Sequence, residues 1–85
     1  GWLHGGIIAS LLDGAMTNCL FAHGLVAVTA GLNVRYRKPL AIGPEMLLRA
    51  WLEQSHPPLH FLRAELRKED CLKASASAKF MERHG

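Results

Sequence analysis

The apolar residues of this chain change period once, at Gly24, and that single switch limits the folds open to it. From His4 to about His23, apolar side chains at Ile7, Ile8, Leu11, Leu12, Ala15, Met16, Cys19 and Leu20 recur at the i, i+3, i+4, i+7 spacing of a helix. Gly24 is placed to stop it. Beyond Gly24 the period is 2, as in a strand with one face buried. Val26, Val28, Ala30, Leu32, Val34 and Tyr36 alternate with more polar neighbours until Pro39. Met46 to Leu52, His60 to Leu66 and Leu72 to Phe80 repeat the alternation. Turns are expected at Ala41-Ile42-Gly43-Pro44, at Ser55-His56-Pro57-Pro58 and at Lys68-Glu69-Asp70. The reading is a helix over about 4–23 and strands over about 26–38, 45–54, 59–68 and 71–81.

One helix followed by strands joined through short turns predicts an α+β fold, with the helix on one face of an antiparallel sheet of about four strands. Ala30, Ala50, Ala64, Ala74, Ala76 and Ala78 share the inner phase, where small side chains let a helix approach closely. Because Ala9, Phe21 and Ala22 continue the apolar surface around the helix, it is expected to be enclosed by the sheet. The outer phase carries Arg35, Arg37, Arg49, Arg63, Arg67, Lys73 and Lys79 beside Leu47, Trp51, Phe61 and Met81, a mixture suited to partial cover by another subunit. Thr29 and Asn33 are read on that outer phase, and residues after Met81 as a frayed tail.

Size and charge narrow the function classes. A chain of 85 residues is expected to be one domain over 1–85, with a core thin enough that self-association would help it. The net charge of +3 is modest, and Trp51 and Phe61 do not form the aromatic run of an RNA-binding sheet, so no nucleic-acid partner is expected. Cys19 and Cys71 are too few and too far apart for a disulfide framework, which points to free thiols and a cytoplasmic location. His56, His60 and His84 show no metal-ligand spacing, so no metal site is expected. The apolar run Gly5–Leu12 falls short of the roughly 20 residues that span a bilayer, and no signal peptide or membrane partner is read.

Two features can carry chemistry. His4-Gly5-Gly6 lies where the helix begins, so its N–H groups lack intrahelical acceptors, and two glycines leave room for a ligand. Such a junction polarises a carbonyl or stabilises an oxyanion; it is equally read as a plain loop-to-helix junction. Asp13 is the one acid among the first 44 residues and interrupts an apolar helix. A carboxylate there is either hydrogen-bonded within an interface or functional. Nine residues after His4, it lies about 13 Å along the helix axis and cannot reach the start of its own helix. Two antiparallel helices in a symmetric dimer would bring it to the other copy's His4-Gly5-Gly6.

The run from His4 to Asp13, followed by Thr29-Ala30-Gly31-Leu32-Asn33-Val34-Arg35-Tyr36-Arg37-Lys38-Pro39, resembles the PaaI-like branch of the hotdog-fold acyl-CoA thioesterases. In that family an HGG motif opens the central helix, an acid follows nine positions after its His, and a T-x-E/D-L-N strand comes next. The resemblance covers nearly the whole chain. It implies that the Gly5 N–H polarises the thioester carbonyl, that His4 orients the loop and that Gly6 gives the acyl-thioester room. It further implies that Asp13 of the opposite subunit is general base or nucleophile, and that Thr29 helps to position water. Basic residues on the outer strands would meet the coenzyme A phosphates. No cofactor is implied beyond coenzyme A as part of the substrate, and the partners are an acyl-CoA and further copies in a homodimer or a homotetramer built as a dimer of dimers. Gly31 and Gly14 depart from the family pattern, which has an acid in the strand and Glu or Ala after the catalytic acid. The leading strand that relatives carry before HGG is expected to be lacking, since Gly1-Trp2-Leu3 precede the motif. The function so implied is hydrolysis of a small or aromatic acyl-CoA; the competing readings are a non-catalytic acyl-CoA-binding module and a dimerisation unit of the same fold.

Overall fold

The computed structural model describes residues 4–39 and 45–83. Helix α1 spans Gly5–Ala22, and strands β1 (Ala27–Tyr36), β2 (Met46–His56), β3 (Leu59–Lys68) and β4 (Cys71–Glu82) follow it. They form one antiparallel sheet in the order β1-β4-β3-β2, and the helix contacts all four strands. The α+β architecture expected from the period switch is the one observed. The turn expected at Ala41–Pro44 lies outside the described residues.

Local chemistry explains where the elements end. At the C-terminus of α1, Gly24 N–H donates to Phe21 O (2.9 Å) and Leu25 N–H to Leu20 O (3.0 Å), a Schellman closure. Gly24 takes φ +75° there, a conformation that a Cβ would strain. Glu69 and Asp70 join β3 to β4, both with positive φ, the geometry of a tight hairpin whose twist matches its strands.

The core is one layer between helix and sheet. Ile8, Leu12, Met16 and Leu20 close onto Leu62, Ala64, Leu66, Ala74, Ala76, Ala78 and Phe80. Their strict four-residue spacing rotates the buried stripe by about 40° per step, so it slants along the helix as a twisted sheet requires. The enclosure expected of the helix is absent within one chain, where Ile7 and Phe21 are more than half exposed. At 18 residues, α1 has the length and composition of a membrane-crossing segment, beyond the Gly5–Leu12 run that argued against one. Its buried stripe shows the packing of a core helix.

Three β-bulges alter the faces expected from simple alternation. Thr29 pairs with Phe80 and Gly31 with Lys79, leaving Ala30 as an extra residue in β1. Glu53 is extra in β2 and Lys73 in β4. Each insertion flips the residues beyond it to the other face. Ala30 is therefore exposed instead of inner, Val28 turns outward, and Thr29 joins Phe80 on the helix side. Ser55 comes opposite His60 and lies 2.6 Å from its Nδ1. His60 is buried and its Nε2 lies 3.4 Å from Glu82. The expected frayed tail begins later than Met81: Glu82 N–H donates to Pro58 O at 2.9 Å, and Arg83 N–H to Val26 O at 3.0 Å.

Candidate active site

The first turn of α1 presents a set of outward N–H groups. His4 is the N-cap, with extended backbone and no side-chain cap, and its carbonyl accepts from Ile7 and Ile8 N–H, both at 3.1 Å. The amides of Gly5 and Gly6 precede these and have no intrahelical acceptor. No acidic residue occupies the first turn, so nothing local neutralises the positive end of the helix dipole. A concavity of about 600 Å³ opens beside it, lined by His4, Gly6, Ile7, Ser10 and Leu11.

The two glycines differ in surroundings. A Cβ on Gly5 would meet the Tyr36 ring at 3.5 Å, and the Tyr36 hydroxyl donates to Gly5 O at 2.7 Å. That bond ties the end of β1 to the first turn and fixes the direction of the Gly5 peptide. A Cβ on Gly6 would meet nothing within 4 Å. Packing among the described residues thus gives no reason for glycine at position 6.

Asp13 lies on the same side of the helix as Gly6, seven residues along. It is partly buried, and its Oδ1 accepts a hydrogen bond from Thr29 Oγ1 at 3.1 Å. Thr29 reaches it because the Ala30 bulge turns it toward the helix; the outer placement read from the sequence is corrected here. Thr17 Oγ1 donates to the Asp13 backbone carbonyl at 3.0 Å, leaving the carboxylate to Thr29. Among the described residues Asp13 makes no ion pair, and Thr29 holds one of its carboxylate oxygens.

Of the residues singled out in the sequence, His4, Gly5 and Gly6 gather at the helix start, while Asp13 and Thr29 gather two turns further on. Sequence reading does not single out Tyr36, which anchors the Gly5 peptide. A hydroxyl on the last inner position of β1 was the available signal for Tyr36, since such a group seeks an acceptor. Among the described residues no group of three or more His, Cys, Asp or Glu could hold a metal.

The thioesterase superfamily domain matches residues 1–75, and the chain belongs to that superfamily. It is 30% identical over 84 residues to the rat acyl-coenzyme A thioesterase THEM4, covering 96% of this chain and 36% of that protein. It therefore spans about a third of the length of that relative. The BH2602 protein of Bacillus halodurans, solved with CoA, superposes with a TM-score of 0.85 at 26% identity, over 98% of this chain and 61% of that one. A mutant of the phenylacetic acid degradation protein PaaI from Thermus thermophilus gives 0.85 at 26% identity, over 95% and 70%. The PaaI-like hotdog fold implied by the HGG and T-x-x-L-N blocks is thus the fold of this chain's structural relatives.

Proposed function

We propose that this chain forms an acyl-CoA thioesterase site between two copies of itself, hydrolysing small or aromatic acyl-CoA thioesters. The observation that carries the reading is the Thr29–Asp13 hydrogen bond: a lone carboxylate in an apolar helix, oriented by a neutral hydroxyl and left unpaired with any cation among the described residues. A structural acid would instead be paired or fully hydrogen-bonded. The superfamily and the CoA-bound neighbour support thioester chemistry, and the PaaI neighbour supports an aromatic acyl group.

In this reading two helices pack antiparallel about a twofold axis near Ala9 and Ser10, halfway between the glycines and Asp13. Ser10 is exposed and small there. The thioester carbonyl accepts from the Gly5 N–H, with His4 setting the loop and Gly6 leaving space for the acyl group. Asp13 of the partner subunit takes a proton from water as the water oxygen bonds to the carbonyl carbon. The helix start stabilises the oxyanion, the C–S bond then breaks, and the departing thiolate takes the proton from Asp13. The products are a free carboxylic acid and coenzyme A. Direct attack by Asp13, through an anhydride that water cleaves, uses the same groups. Thr29 holds the carboxylate in either case. Free Cys19 and Cys71 agree with a reducing, cytoplasmic setting.

The test is thiol release from a panel of acyl-CoAs by the wild type and by Asp13→Asn. The variant keeps the shape and the Thr29 bond and is expected to lose at least about a hundredfold in turnover. Near-normal release by Asp13→Asn would remove the mechanism. Binding of acyl-CoA without release by the wild type would instead support the non-catalytic module.

A further inference from the structure

Among the described residues His60 is the one fully buried polar side chain, and the thioester site makes no use of it. It stands in the inner row of β3 with Leu62, Ala64 and Leu66, where an apolar group would serve the core at less cost. Its two ring nitrogens face different partners. Ser55 Oγ lies 2.6 Å from Nδ1, and a carboxylate oxygen of Glu82 lies 3.4 Å from Nε2. The neighbouring strands β2, β3 and β4 thus contribute one residue each.

The bulge in β2 creates this juxtaposition. By simple alternation from Met46 to Leu52, Ser55 would fall on the outer face, but the extra Glu53 turns it inward and opposite His60. Bulges that re-aim a side chain in this way are over-represented beside active sites. The partners also decide the tautomer. An ionised carboxylate only accepts, so the ring proton belongs on Nε2, facing Glu82, and the Nδ1 lone pair is left to accept from the Ser55 hydroxyl. His60 is 2% exposed, whereas Ser55 is exposed. The base is shielded from water and the hydroxyl is open to a ligand. A buried histidine that served structure alone would have both nitrogens hydrogen-bonded; here Nε2 has the carboxylate at ion-pair distance and no hydrogen bond among the described residues. That contact gains strength once the ring takes a proton, as a general base requires.

We propose that Ser55, His60 and Glu82 form a second nucleophilic centre, which takes acyl groups from activated carboxylic esters such as aryl acetates. The Ser55 proton passes to His60 Nδ1 as Oγ bonds to the ester carbonyl carbon. The bond from that carbon to the alcohol oxygen then breaks, and the departing oxygen takes the proton from His60. Water attacks the acyl-serine by the same route: its proton passes to Nδ1, the bond between Oγ and the acyl carbon breaks, and Oγ recovers the proton as the carboxylic acid leaves. Glu82 stays ionised throughout and offsets the charge on the ring. Ser55, His60, Phe80 and Thr29 stand in one row across the sheet, so Ser55 lies three strand spacings, about 14 Å, from the Thr29 that holds Asp13. The centre is separate from the thioester site and does not depend on it.

The probe for the nucleophile is an alkyl fluorophosphonate, which phosphonylates activated serines with loss of fluoride, followed by peptide mapping by mass. The wild type is expected to carry the label on Ser55, and Ser55→Ala to lack it. The rate should fall at least about tenfold in Glu82→Gln, which keeps the shape and removes the charge, and at least about a hundredfold in His60→Gln. Melting temperatures show whether each variant is folded; because His60 is buried, Glu82→Gln decides the question if His60→Gln is not. With p-nitrophenyl acetate, the wild type should release a burst approaching one p-nitrophenolate per chain that Ser55→Ala does not give. No label on Ser55, a labelling rate unchanged in Glu82→Gln, or a burst that persists in Ser55→Ala would overturn the proposal.

Discussion

The β3–β4 hairpin and strand β1 are neighbours in one sheet, yet they are built for different work. On the hairpin the inner positions Leu62, Ala64, Leu66, Ala74, Ala76, Ala78 and Phe80 are closed against α1, and the outer positions stay partly open. On β1 no residue is fully buried. Instead β1 supplies two hydroxyls to the helix: Thr29 to the Asp13 carboxylate and Tyr36 to the Gly5 carbonyl. The hairpin holds the chain folded, whereas β1, at the sheet edge, orients polar groups of the helix. An edge strand can afford polar inner residues because it closes little of the core, and Val28 and Leu32 remain exposed on it, available to a second copy.

The comparison can be broken first on the hairpin. Phe80→Ala removes the largest fully buried side chain and is expected to cost about 3–5 kcal/mol, read as a lower midpoint in urea unfolding. Val28→Ala on β1 is expected to cost under about 1 kcal/mol in the same experiment. Equal losses would mean that β1 carries as much of the core as the hairpin does. A smaller effect, on turnover and not on folding, is expected of Thr29→Val. It keeps the shape, frees the Asp13 carboxylate and should lower kcat about tenfold, from a lost hydrogen bond worth about 1.5 kcal/mol. Thr29→Ser, which restores the hydroxyl, should recover most of that loss. A Thr29→Val enzyme with normal kcat would reduce Thr29 to a packing residue.

What was legible in the sequence follows from range. The helix and each strand were legible because periodicity is local, and Asp13 stood out because a single acid in an apolar helix needs no partner to be noticed. The bulges were hidden: Ala30, Glu53 and Lys73 leave the written alternation intact, and each becomes an extra residue only once the opposing strand is known. Simple alternation therefore puts Thr29 on the outer face, whereas the Ala30 bulge turns it to the helix. Tyr36 was hidden for a related reason, since its acceptor at Gly5 is 31 residues away. Apolar residues around the whole helix predict enclosure by the sheet. The structure buries one stripe and leaves Ile7 and Phe21 for another surface.

In the proposed site Gly5 and Gly6 of one copy work with Asp13 of the other, and subunit mixing is the test. Asp13→Asn removes the carboxylate, and Gly6→Val adds a side chain beside the concavity, at a position where no described residue lies within 4 Å of the added Cβ. Each variant alone should be inactive toward an acyl-CoA that the wild type hydrolyses. In a mixed dimer one site would unite the intact helix start of the Asp13→Asn chain with the intact carboxylate of the Gly6→Val chain. Unfolding and refolding the two together in equal amounts should restore about a quarter of wild-type activity, because half of the dimers are mixed and each has one good site of two. No recovery, with mixed dimers present by mass, would contradict a site shared between subunits.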